Sequence, residues 1–141
     1  MTAVALVTAG KLRVVESIQQ LTLPFAEACS VGQAVRIDTT TGKWTKANGT
    51  DAAESRVWGI LVSKDAAGAV GTAIRKGVVD GFDLSSQAYD LAIYMSDTDG
   101  GLDDGTGATV DVAVGRVIPA FSQTLGTAAD KLLEIDLEEA I

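Results

Sequence analysis

Apolar positions along this chain fall mostly in strand-sized runs cut by glycines, and the longest spans residues 57–82. There Trp58, Ile60 and Val62 alternate with Val57, Gly59 and Leu61, so both faces are apolar, the pattern of a short strand buried on both sides. Asp65, Ala66, Ala67 and Gly68 supply a turn, with glycine at the position that favours positive φ. The chain returns through Thr72, Ile74 and Val78 towards Phe82, and Gly71, Gly77 and Gly81 mark bulges, bends or close approach of another backbone.

Upstream, residues 12–24 read as a strand that Pro24 ends by removing a donor. Leu12, Val14 and Ile18 fall on one side of the extended chain, and Arg13, Val15 and Ser17 on the other. Val14, Val15, Ile18 and Leu21 also fit helical spacing, but the β-branched residues and the missing capping box favour strand. This segment is either an edge strand of the chain's own sheet or an extended arm that pairs with a partner's sheet. Residues 25–31 form a connector. A hairpin follows, residues 34–38 returning through 43–46 about Thr41 and Gly42, and then a polar surface loop over residues 48–56.

Residues 84–90 suggest a single helical turn capped by serine, and residues 91–95 another strand. An acidic, glycine-rich loop covers residues 96–105. Val110, Val112 and Val114 then alternate in a strand that runs to Pro119. A loop over residues 120–130 precedes a last strand carrying Leu133, Ile135 and Leu137, and an acidic tail. About eight strands with turns every ten or so residues predict an all-β fold, a compact barrel or sandwich. The predicted organisation is residues 1–24 as arm or edge strand and residues 25–141 as a single β domain.

Composition, charge and the first residues sharpen this picture. The 141 residues are 47% hydrophobic, enough for one core, but aromatics are only 5%, so large side chains are few and support from oligomerisation is expected. A net charge of −8 argues against nucleic acid, whose affinity comes from Lys and Arg on phosphates. Cys29 is the single cysteine and reads as a small buried filler, which fits a reducing compartment. The first ten residues lack a basic region and a long apolar run, so neither a secretory leader nor a membrane span is expected.

Reactive chemistry is sparse. No histidine occurs, which removes Ser/His/Asp and Cys/His catalysis and the usual Cys/His zinc sites. Asp97, Asp99, Asp103 and Asp104 around Gly100 suggest calcium, yet the calcium-loop spacing and its closing glutamate are missing, and an Asp/Gly turn accounts for the same residues. Glycines 68, 71 and 77 lack the Lys-Ser/Thr of a phosphate loop. Trp44 and Trp58 read as core or cross-strand residues. The expectation is a protein that is not an enzyme and has no cofactor and no bound metal.

One resemblance gives these strands a use. Residues 12–24, then Ala34-Val35-Arg36-Ile37-Asp38 with Thr41-Gly42-Lys43, then residues 73–82, are similar to the capsid decoration, or cement, proteins of tailed bacteriophages and prophages. So are Ala88-Tyr89-Asp90, residues 94–100, Val114-Gly115-Arg116-Val117-Ile118 and residues 125–133, so the likeness covers nearly the whole chain. It rests on the order and spacing of turn-and-strand segments. The resemblance implies a β-tulip body that forms a homotrimer on the outer surface of the virion head. It also implies an N-terminal segment that binds the major capsid protein and so stabilises the expanded shell. The residues expected at that contact are Leu12, Arg13, Val14, Val15, Glu16, Ile18, Leu21 and Leu23, with no nucleic acid or membrane as partner. The alternative reading is a ligand- or carbohydrate-binding β module, carried on a phage fibre.

Overall fold

The structure, a computed structural model, describes residues 2–120 and 131–137. Those residues contain no helix and ten strands, all in one antiparallel sheet that curls into a half-barrel. The strands are β1 (Ala3–Val4), β2 (Arg13–Pro24), β3 (Ala34–Ile37), β4 (Trp44–Lys46), β5 (Gly59–Lys64), β6 (Val70–Asp80), β7 (Ala92–Met95), β8 (Leu102–Asp103), β9 (Ala113–Pro119) and β10 (Lys131–Asp136). The sheet order is β1-β8-β7-β9-β10-β6-β5-β3-β4, with β2 added beside β6.

β6 organises this sheet. One of its edges is shared: Gly71 to Ile74 pair with β5, and Lys76 to Val79 pair with β10. Its other edge is covered over the full length by β2, from Pro24 opposite Val70 to Arg13 opposite Asp80. Arg75 lies where β5 gives way to β10. Its guanidinium donates to the Trp58 carbonyl at 2.9 Å and lies 5.7 Å from the centre of the Trp58 ring, while its own carbonyl accepts from the Leu137 N–H at 3.1 Å. The curl brings the two ends of the larger arm together, because Val7 N–H donates to the Gly81 carbonyl and Asp83 N–H to the Ala5 carbonyl, each at 2.8 Å.

Two apolar clusters result, one on each side of β6. Ile74 and Val79 face the larger cluster inside the half-barrel, with Ile60, Ile93, Met95, Val114, Val117, Leu133 and Ile135. Ala73 faces the smaller one, where Trp44 is fully buried with Val35, Leu61 and Cys29, and Leu21, Leu23 and Phe25 pack against it. The Trp44 indole donates to the Gly71 carbonyl at 2.8 Å, which meets the demand that a buried N–H find a partner. Gly71 has no room for a side chain, since a Cβ would strike the Phe25 ring.

Several expectations need correction in detail. Residues 48–56 are not wholly a surface loop: Asn48, Gly49 and Ser55 are buried, and the Asn48 amide bridges to Asp99 while its carbonyl oxygen accepts from Thr50. Residues 84–90 form turns and no helical turn; the Asp83 carboxylate caps the Ser85 N–H, and Leu84 and Gln87 are buried. β9 begins at Ala113, so Val110 and Val112 precede it. Two two-residue strands, β1 and β8, were not expected. Of the loop predicted over residues 120–130, residues 121–130 lie outside the described residues, as does the acidic tail.

The connector between β2 and β3 is held by Glu27. Its carboxylate accepts from the Thr45 hydroxyl and, at 3.1 Å, from the Lys46 N–H, and the Lys46 ammonium lies 3.8 Å away. The Thr45 hydroxyl above all, then the Lys46 amide and charge, hold the Glu27 carboxyl below its ordinary range despite partial desolvation. A depressed carboxyl contributes stability that is complete above its unfolded-state pKa and is lost as pH falls through its folded-state value. Thr45→Val is therefore expected to lower the melting temperature at neutral pH and to flatten the acid limb of melting temperature against pH, from the ordinary glutamate range downward. Identical acid limbs in variant and parent would reject this account.

Candidate interaction surface

β2 is a strand by composition and an edge by topology. Ten of its twelve residues stand in register with β6 on one side, and no described strand pairs with the other. It is seated at both ends. At the N-terminal end Leu12 packs against the larger cluster, just after the contacts of residues 5–7 with residues 81–83. At the other end Leu21 and Leu23 pack against the Trp44 cluster, and the Thr22 and Thr72 hydroxyls meet at 2.7 Å on the outer face. Gly77 and Gly81 allow the close seating between these anchors. A Cβ on Gly77 would collide with the Glu16 carbonyl oxygen, and one on Gly81 would lie 2.8 Å from the Lys11 carbonyl oxygen.

The middle of β2 is irregular. Val14 opposes Val79 and Glu16 opposes Val78, so Val15 is an extra residue; Ser17 opposes Gly77 and Gln19 opposes Lys76, so Ile18 is another. A third irregularity follows, because Gln20 opposes Ile74 and Arg75 on β6 is passed over. Each bulge bends the strand and leaves the extra residue without a ladder partner. The two extra residues are also the most exposed large apolar side chains of β2: Val15 is 43% and Ile18 61% accessible, with Val14 at 40%. From Arg13 to Gln20 every residue is exposed, which is unusual for a strand in a folded sheet.

The eight residues expected at a contact therefore divide by position. Leu12, Leu21 and Leu23 turn towards the protein's own clusters and anchor the strand. Val14, Val15, Glu16 and Ile18 stand in solvent, as does Arg13, which also donates to Asp80 at 2.8 Å. An ion pair so exposed contributes little to stability. Sequence reasoning found the segment but not this division, because the register shifts that produce it are set by β6.

The acidic loop makes no comparable site. Asp97 accepts from the Thr109 N–H at 3.0 Å, Asp99 from the Asn48 amide, and Asp104 from the Thr2 N–H at 2.7 Å and the Gln87 amide at 3.1 Å. Asp103 borders an open depression of about 360 Å³ lined also by Val4, Ser96, Asp97 and Leu102. Burial first, then the charge of Asp104, pushes its carboxyl up. No group of three or more potential metal ligands gathers among the described residues. Asp97, Asp99 and Asp104 thus spend their carboxylates on separate structural hydrogen bonds, without the convergence of ligands that calcium requires.

Two measurements check these assignments. Gly77→Val is expected to cost about 2 kcal/mol of stability through overpacking against Glu16, and to raise amide exchange in β2 before the rest of the sheet; unchanged protection there would show that β2 is seated by other means. Calcium titrated calorimetrically is expected to give neither heat nor a rise in melting temperature, and a saturable signal would restore the loop as a cation site. Comparison with protein-family models, curated proteins and solved structures finds no match to this chain.

Proposed function

We propose that this protein is a non-enzymatic decoration protein of a tailed-phage head, docking on the outer surface of the major capsid protein through the exposed middle of β2. The observation that supports this reading is the strand itself. An edge without a partner among the described residues, bearing exposed Val14, Val15 and Ile18, is a liability in a protein that works alone and an asset in one that adheres to a repeated surface. The second support is the resemblance of the chain's strand-and-turn order to capsid cement proteins.

Docking on this reading adds no catalytic step. Because the strand is already ordered between two anchors, binding forgoes the ordering cost that a free arm carries. A molecule that binds only the assembled lattice stabilises that lattice by mass action. On the same reading the protein binds as a homotrimer, whose three joined docking strands act at high effective concentration on the shell.

Deleting the N-terminal segment is a poor test, since Val4 is buried and Leu12 anchors the sheet. Val15→Asp and Ile18→Asp in the full chain are better. At exposed positions each is expected to change stability by no more than about 0.5 kcal/mol, while the pair abolishes co-sedimentation with undecorated heads. Undiminished binding by a folded double variant would refute the docking surface.

A further inference from the structure

Asn48 is the single asparagine of the chain, and Gly49 follows it. An asparagine before glycine tends to close on itself. The glycine backbone nitrogen gives up its proton and attacks the asparagine Cγ, a C–N bond forms, and the side-chain nitrogen leaves as ammonia. Water then opens the cyclic imide at either carbonyl, giving aspartate or isoaspartate. Glycine favours the first step because it has no Cβ to hinder the approach. We infer that Asn48-Gly49 is a deamidation site held shut by the folded loops around it, and converted irreversibly when those loops part.

Packing demands this dipeptide. Asn48 is only 3% exposed, and its N–H donates to the Glu54 carbonyl at 3.0 Å. Gly49 lies between two other segments: its N–H donates to the Ser96 carbonyl at 2.8 Å, and its carbonyl accepts from the Val110 N–H at 2.7 Å. A Cβ at Gly49 would lie 2.7 Å from both the Ala108 Cβ and the Val110 carbonyl oxygen, so the backbone there has no room for a side chain.

The same contacts block the ring. Attack requires a free Gly49 nitrogen and an Asn48 Cγ turned towards it. Ser96 holds the nitrogen's proton, and the Asn48 side chain is fixed at both ends. Its Nδ2 donates to the Asp99 carboxylate, and its Oδ1 accepts from the Thr50 N–H at 3.0 Å, with the Thr50 hydroxyl 2.6 Å away. The Gly100 N–H, donating to the Ala47 carbonyl at 2.7 Å, fastens the two loops beside this bond. Ring closure therefore waits on local opening, and its rate falls with the fraction of molecules open.

Closing again does not restore the starting state. Conversion replaces the Nδ2 donor by a carboxylate oxygen facing the Asp99 carboxylate, and the Glu54 carboxylate already lies 2.7 Å from the Thr50 hydroxyl alongside. Buried carboxylates with no donor between them repel. Isoaspartate in addition lengthens the backbone at a point where Gly49 has no slack. None of these residues belongs to β2 or its anchors, so the inference stands apart from the docking proposal.

Mass spectrometry of the full chain tests this, after incubation at mildly alkaline pH either folded, below the melting temperature, or unfolded in urea. Loss of the Asn48 amide is expected to be more than about tenfold slower in the folded protein. Asp99→Ala, which leaves Nδ2 without its acceptor, is expected to speed the folded reaction about tenfold, and Thr50→Val about threefold. Melting curves establish that each variant folds, and Thr50→Val carries the test alone if Asp99→Ala does not. Asn48→Asp is expected to melt below the parent. Equal rates in the folded and unfolded parent, folded variants that convert no faster than the parent, or an Asn48→Asp protein as stable as the parent would overturn the inference.

Discussion

β6 must satisfy three strands with two edges, and the rest of the molecule follows from how it does so. Giving half of one edge to β5 and half to β10 splits the sheet into two arms, with Arg75 at the division. The split is what lets one continuous strand wall two clusters: Ala73 faces the Trp44 side and Ile74 the half-barrel. Backbone groups on the remaining edge would be exposed over eleven residues, and β2 is the segment that pairs with them. Covering β6 in this way moves the open edge outward by one strand and does not remove it.

The character of β2 reflects that position. A strand with one buried face is held in register by it, because a slip of one residue would turn its apolar side to water. Near Leu21 and Leu23 that condition holds, and the pairing from Gln20 to Pro24 runs without interruption. Towards Arg13 neither face is buried, and the ladder takes up two extra residues within five positions. The bulges fall where burial gives no register signal, and they turn Val15 and Ile18 outward. Exposure and irregularity share a cause: the second cluster ends before this part of the strand.

Much of the architecture was legible in the chain because it rests on local signals. The β3–β4 hairpin announced itself by alternation about Thr41 and Gly42, and Gly42 indeed has positive φ. The run from residue 57 to 82 was legible as β5, the turn at Gly68 and β6, since Gly59 to Val62 are buried on both faces and glycine takes the positive φ of the turn. β1 and β8 were illegible, as each is two residues long and is extended by pairing, β1 with β8 and β8 also with β7. The burial of Asn48 was hidden for a related reason. Its sequence reads as a turn, and only the loop containing Asp99, packed against it, supplies the partner that makes burial tolerable. At the candidate surface the segment was legible and the orientation was not. Leu12, Leu21 and Leu23 differ from Val14, Val15 and Ile18 through β6's register, which no pattern within β2 records.

Charge and topology together decide what a surface of this kind can do. On a body of net charge −8, association with another acidic surface would meet least repulsion along a strip with few charged residues. A strip of that size gives a weak single contact, well below the area of a stable permanent interface. Weakness of one contact is compatible with firm attachment when copies are joined to one another, since linked contacts then act at high effective concentration. A strand anchored at Leu12 and at Leu21 presents the same side chains in every copy without first being ordered. Regularity of presentation, more than strength of any one contact, is what the two anchors provide.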